Sequence, residues 1–180
     1  MESMVDIKNY NPQWKNWFKR IRDQFWPRLS HLVIDVIHVG STSIEGMVAK
    51  PVIDVDIVVE NFDKFEELKA EMEIIGYTHR GNLGITDRES FVFKYTPEIA
   101  QNVYVIKEDS IAYRNHLLLK KHLEENKPDH ERYKTLKQKL SKKVKSRDEY
   151  CQKKTKLILE FLQTQGMSHD EIELIRNENL

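Results

Sequence analysis

Apolar residues recur along this chain with two different periods. Behind Asn11-Pro12, the residues Trp14, Trp17, Phe18, Ile21, Phe25 and Leu29 fall near helical spacing. They predict an amphipathic helix with proline in its first turn and an aromatic-rich face that reads as core rather than as a ligand-stacking platform. Residues 32–39 form an apolar run, and residues 51–59 a second one in which Asp54 and Asp56 alternate with Val55 and Ile57. Both read as strands. A helix capped by Asn61 or Asp63 is expected through about residue 75, stopped at Gly76. Residues 90–95 and 102–106 are β-rich runs bounded by turn residues.

From Asp109 onwards the helical period takes over. Helices are expected at about 110–125, 129–146 and 148–164, broken by Asn126-Lys127-Pro128 and by a polar stretch around Ser146. After Gly166 the tail is either loose or a short helix opened by the capping-type sequence Ser168-His169-Asp170-Glu171. The fold class is therefore α+β. A strand-bearing core over 1–108 is followed by a helical part over 109–180 packed on it as one compact unit.

Composition narrows the function classes. The 180 residues carry 29 basic and 29 acidic side chains, so no global field draws nucleic acid or an anionic membrane. The lysine runs between Lys134 and Lys156 read mostly as solvated helix faces, a weak footing for nucleic acid. One cysteine, Cys151, excludes an internal disulfide and fits a reducing cytoplasm; in a lysine-rich helix it reads as a bystander thiol. No apolar run approaches the roughly 20 residues a bilayer span requires, and the polar start is unlike a secretory signal. A cytoplasmic protein is expected.

The chemistry concentrates in residues 31–60. A strand places residues i and i+2 on one face, so Asp54 and Asp56 point together. Converging carboxylates repel unless a cation joins them, and hard Mg²⁺ with phosphate oxygens completing its shell meets that need. Just ahead, Gly40-Ser41-Thr42-Ser43 offers backbone N–H groups and hydroxyls suited to phosphate. Lys50 stands at the mouth of the acid-bearing strand, either neutralising phosphate or merely solvated, and Arg88 and Lys94 on the middle strand are further candidates for an anion. His38, ending the first strand, reads as a support for the turn. His79, His116, His122 and His130 lack metal-ligand spacing within any one helix, which argues against zinc.

The blocks His38-Val39-Gly40-Ser41-Thr42-Ser43 and Ala49-Lys50-Pro51-Val52-Ile53-Asp54-Val55-Asp56 resemble the signature of the bacterial GrpB family (UPF0157-type). The resemblance extends from Tyr10-Asn11-Pro12-x-Trp14, through Gly84-Ile85, Arg88 and Phe91 to Lys94, to Arg114 to Leu123, Tyr133, Leu136-Lys137, Tyr150 and Lys154. That family is assigned to the nucleotidyltransferase superfamily. The resemblance implies a polymerase β-type small mixed sheet with an N-terminal helix. It also implies that the Gly-Ser turn binds triphosphate and that Asp54 and Asp56 hold Mg²⁺ (or Mn²⁺) and serve catalysis.

The superfamily's third acid belongs on a later strand, which here reads Gln101-Asn102-Val103-Tyr104-Val105. The family tends to carry histidines there, and Asn102 and Tyr104 stand in their place. Neither is a good general base near neutral pH. Glu108 and Asp109 lie just beyond, and Asp109 reads as the cap of the next helix. Two readings therefore stay open. One is a nucleotidyltransferase acting on Mg-NTP, or a related phosphorylated small molecule, and an unknown acceptor. The other is a catalytically silent nucleotide- or metabolite-binding accessory protein on the same fold, with coenzyme-A-linked work conceivable because family domains occur fused to dephospho-CoA kinase.

Overall fold

The computed structural model describes residues 5–178, the side chain of Arg147 excepted. Its strands are β1 (Asp35–Val39), β2 (Ile53–Val59), β3 (Tyr77–His79), β4 (Arg88–Phe93) and β5 (Gln101–Lys107), in sheet order β1-β2-β5-β4-β3. Only β2 and β5 run parallel; the other neighbours are antiparallel. Helices α1 (Gln13–Leu29) and α2 (Phe65–Ile75) belong to the strand-rich half, and α3 (Ile111–Glu125), α4 (Lys127–Lys143), α5 (Arg147–Thr164) and α6 (His169–Glu178) follow it. The architecture is the expected α+β: a small mixed sheet with an N-terminal helix and a helical C-terminal part.

The two faces of the sheet differ in chemistry because side chains alternate along each strand. Val36, Ile53, Val55, Ile57, Val59, Phe91, Val103 and Val105 all point one way. They are covered by Trp14, Ile21, Phe25 and Leu29 of α1 and by Leu68 and Met72 of α2, giving the largest cluster of buried residues. Each such side chain taken fully out of water contributes about 1.5–3 kcal/mol. The opposite face carries Ile37, Val39, Asp54, Asp56, Val58, Asn102, Tyr104, Ile106, Arg88 and Ser90. Its Val58–Ile106 patch is apolar, and there Ala112 and Tyr113 of α3 sit down.

Helix starts follow side-chain chemistry. Ser110, Asn126 and Ser146 each accept the third backbone N–H of the helix they open. Ser168 and Glu171 bond each other's backbone reciprocally at α6, so the tail forms a helix rather than a loose end. Gly76 closes α2 in the left-handed region, φ 110°.

Four expectations need correction. The run 32–39 is strand only from Asp35; Leu32 and Val33 instead lie in the turn that leads to it, packed against the α1-side core. Neither Asn61 nor Asp63 caps α2, because the Asn61 carboxamide is spent on the Asp63 N–H. Asp109 is not the cap of α3: it turns the chain at φ 61°, which hands that role to Ser110. The helix expected over 129–146 runs instead over Lys127–Lys143 as α4, and the three-residue β3 had no pattern long enough to announce it.

Candidate functional site

The acid pair stands on the central strand β2, on the face turned toward the C-terminal helices. Asp54 pairs in register with Asn102 of β5 and with Val39 of β1, and Asp56 with Tyr104 and Ile37. The Asn102 amide donates to Asp54 Oδ1 at 2.7 Å. A Cβ built on Gly40 would meet Asp54 Oδ2 at 2.2 Å, so only glycine lets the turn pass this close to the carboxylate. Its φ of 69° demands the same residue. Burial raises the Asp54 carboxyl above its ordinary range. Asn102, His116 and Lys154 act against that rise, and Asp56 reinforces it.

Asp56 is fully buried. Its Oδ2 lies 2.6 Å from His116 Nδ1, on α3, while its Oδ1 has no hydrogen-bond partner among the described residues. Burial works against a charge on His116, but the Asp56 carboxylate outweighs it and lifts the imidazole above its ordinary value. A carboxylate oxygen left bare in a protein interior is costly. It marks a place for a donor or a cation.

The turn after β1 is a single 3₁₀ turn, Ser41–Ser43. Ser43 donates to the Gly40 carbonyl at 2.7 Å, and Thr42 to the Val52 carbonyl at 3.3 Å. His38 Nε2 lies 2.9 Å from Thr42 Oγ1, and its ring stacks on Phe18. Burial, with help from the charges of Lys120 and Lys15, lowers its pKa to about 4. Ile44 and Met47, just past the turn, are buried among Leu123, Tyr133, Leu157 and Phe161 of α3, α4 and α5. The turn is thereby locked to the helices.

Two cavities of about 240 Å³ each open on this arrangement, and Ser41, Asp54, Cys151 and Lys154 line both. The first adds Thr42, Lys50, Asn102, Lys137 and Tyr150. The second adds Gly40, Asn115, His116, Lys120 and Tyr133 among leucines and isoleucines. Of the residues singled out in the sequence, Gly40, Ser41, Thr42, Lys50, Asp54 and Asn102 meet here. Ser43 does not: its hydroxyl is turned inward onto Gly40. Asp56 and Arg88 also lie outside both linings: Asp56 is fully buried against His116, and Arg88 has its guanidinium stacked 4.3 Å from the Tyr104 ring and its Nε buried without a partner among the described residues.

His116, Lys137 and Lys154 were not legible as site residues. Lys137 also corrects the picture of solvated lysine faces, since it is 2% exposed and its ammonium donates to the Val48 carbonyl. Its burial, with the Lys154 charge nearby, drives its pKa well below the ordinary lysine value.

Among the described residues no three His, Cys, Asp or Glu side chains form a ready-made metal cage. The donor set nonetheless fits one hard cation whose shell a ligand would complete. Two carboxylates share a face, the Asp56 oxygen is bare, and the Asn102 amide stands beside Asp54.

Fold and cleft together define an α+β domain with a polar, ion-lined cleft between its central strands and its C-terminal helices. The chain belongs to the GrpB family, described as GrpB protein, whose sequence profile matches residues 4–164. The UPF0157 protein YqkA of Bacillus subtilis is 30% identical over 137 residues, 76% of this chain. That match spans 40% of YqkA's own length. The crystal structure of conserved protein GrpB from Enterococcus faecalis superimposes with a TM-score of 0.76 at 28% identity, covering 90% of this chain and all of that one. A structure of the Cid1 poly(U) polymerase aligns more distantly, with a TM-score of 0.46 at 12% identity over 72% of this chain and 45% of that one.

Proposed function

We propose that this chain binds a nucleoside triphosphate with a divalent cation, Mg²⁺ or Mn²⁺, and transfers its nucleotidyl group to an acceptor hydroxyl. The observation that carries the reading is the buried Asp56 carboxylate, one oxygen held by His116 and the other bare, two residues from Asp54 on the same face. Asp54 and Asp56 would hold the cation, whose contribution when bound is to stabilise charge on the attacking and leaving oxygens. Gly40 and Ser41 line the cleft beside Asp54 and present the turn to the phosphates. His116 fixes the Asp56 carboxylate and supplies positive charge next to it. Asn102 orients Asp54 through its amide.

A second reading draws on a specific feature. Asn102, rather than an acid, stands opposite Asp54, and an amide does not accept a proton from an acceptor hydroxyl. That favours a silent member that binds nucleotide and releases it unchanged.

Equilibrium binding of ATP and UTP, with Mg²⁺ and with EDTA, tests the common part. Affinity is expected to fall more than about 100-fold in EDTA and in Asp54→Asn, as loss of a ligating carboxylate implies. Binding indifferent to both would overturn the metal site. Transfer of labelled α-phosphate from NTP to an acceptor with release of unlabelled pyrophosphate, lost in Asp54→Asn, then separates the transferase from the silent binder.

A further inference from the structure

We infer that the cavity lined by Lys50, Lys137 and Lys154 is a binding site for a phosphate-class anion that does not require the divalent cation. Three lysines face this space of about 240 Å³, together with the hydroxyl-bearing side chains of Ser41, Thr42 and Tyr150. The one carboxylate on its wall, Asp54, already accepts a hydrogen bond from Asn102. The lysines converge from three separate elements: the loop before β2, α4 and α5. A solvated helix face would not bring them together.

Lys137 is the informative member. It is 2% exposed, and lysine is almost never buried to that degree unless it is paired. Its ammonium carries three N–H donors, of which the Val48 carbonyl takes one. The Tyr133 ring lies 5.3 Å from the nitrogen, and Lys154 sits on the Tyr150 ring at 5.5 Å. Both lysines are thus laid along aromatic faces and aimed at one space. The charge on Lys137 is opposed by burial and then by the neighbouring Lys154, and is supported only by Asp54. An anion between the two lysines would remove that conflict and supply the acceptors that Lys137 lacks. The space suits a short phosphate chain and is far too small for a folded nucleic acid.

The site stands apart from the metal reading, and inorganic pyrophosphate in EDTA tests it alone by titration calorimetry. Wild-type protein is expected to bind. Lys137→Met and Lys154→Met are each expected to weaken binding at least tenfold. Lys154 is only half-buried, so Lys154→Met decides the matter if Lys137→Met fails to fold. No pyrophosphate binding by the wild type, or equal binding by the lysine variants, would overturn the inference whatever the fate of metal-dependent NTP binding. Adding Mg-ATP distinguishes the sources of the anion. Competition identifies the nucleotide's own polyphosphate tail, and simultaneous binding identifies a second, anionic substrate.

Discussion

The two faces of the β1–β5 sheet are made by the same strands and do opposite work. On the α1–α2 side, Val55, Ile57, Val103 and Val105 alternate into a cluster closed by Phe25, Leu29 and Met72, with no carboxylate, ammonium or guanidinium group among its members. On the α3 side, the intervening residues Asp54, Asp56 and Asn102 put two carboxylates and an amide beneath helices that bring His116, Lys137 and Lys154. One face gains free energy by excluding water. The other accepts the cost of buried charge, which is worth bearing where a ligand completes the set. Alternation lets seven residues of β2 serve both ends without compromise.

The contrast is sharpest between one substitution on each side. Phe25→Ala removes a fully buried ring from the apolar face and is expected to lower unfolding stability by about 3–5 kcal/mol. Nucleotide affinity per folded molecule should hardly change. Asp54→Asn should do the reverse. Its carboxyl is already destabilised by burial, and the new amide oxygen still accepts from Asn102, so urea unfolding should show no loss of stability. If Phe25→Ala impaired binding as much as folding, the division of labour between the faces would be wrong.

That division was half legible in the sequence. The i, i+2 spacing of Asp54 and Asp56 on a β-branched strand announced the acid pair, and the periodicity of α1 announced its cover. His116 is sixty positions from Asp56, on a helix whose own spacing gives no sign of a partner. Lys137 lies in a run of lysines that composition alone assigns to solvent; only the packing of Ile44 and Met47 into the helices draws α4 down over the turn and buries it. Asp109 failed as a cap for a local reason, because its own left-handed backbone passed the position on to Ser110. Pattern thus revealed what each strand contributes. What the helices contribute depends on docking.

Between the faces runs the turn, and Gly40 tests how tightly it is held to the acid side. Gly40→Ala adds a methyl that would lie 2.2 Å from Asp54 Oδ2, on backbone at φ 69°. Strain of about 1–3 kcal/mol is expected, less than for Phe25→Ala. Here, however, stability and metal-dependent nucleotide binding should fall together, since relief requires Asp54 to move. Loss of stability with binding intact would mean that the carboxylate can shift without consequence.

The smallest effect concerns His38, the one titratable group on the apolar side that touches the turn. Thr42 gives its hydroxyl hydrogen to the Val52 carbonyl, so at the 2.9 Å contact the imidazole Nε2–H is the donor and Nδ1 carries no proton. Its pKa falls to about 4, through burial first and the charges of Lys120 and Lys15 after it, whereas an unfolded histidine titrates near 6.5. As pH drops below about 6.5 the unfolded chain therefore takes up a proton that the native ring refuses, and stability declines until the ring also protonates near pH 4. His38→Gln keeps an N–H donor for Thr42 and removes the titration. The difference between wild-type and variant urea midpoints should be constant above pH 7, shift in the variant's favour between about 6.5 and 4, and level off below. A flat difference across that interval would show that the ring takes its proton in place, and that the apolar face tolerates charge as readily as the acid face does.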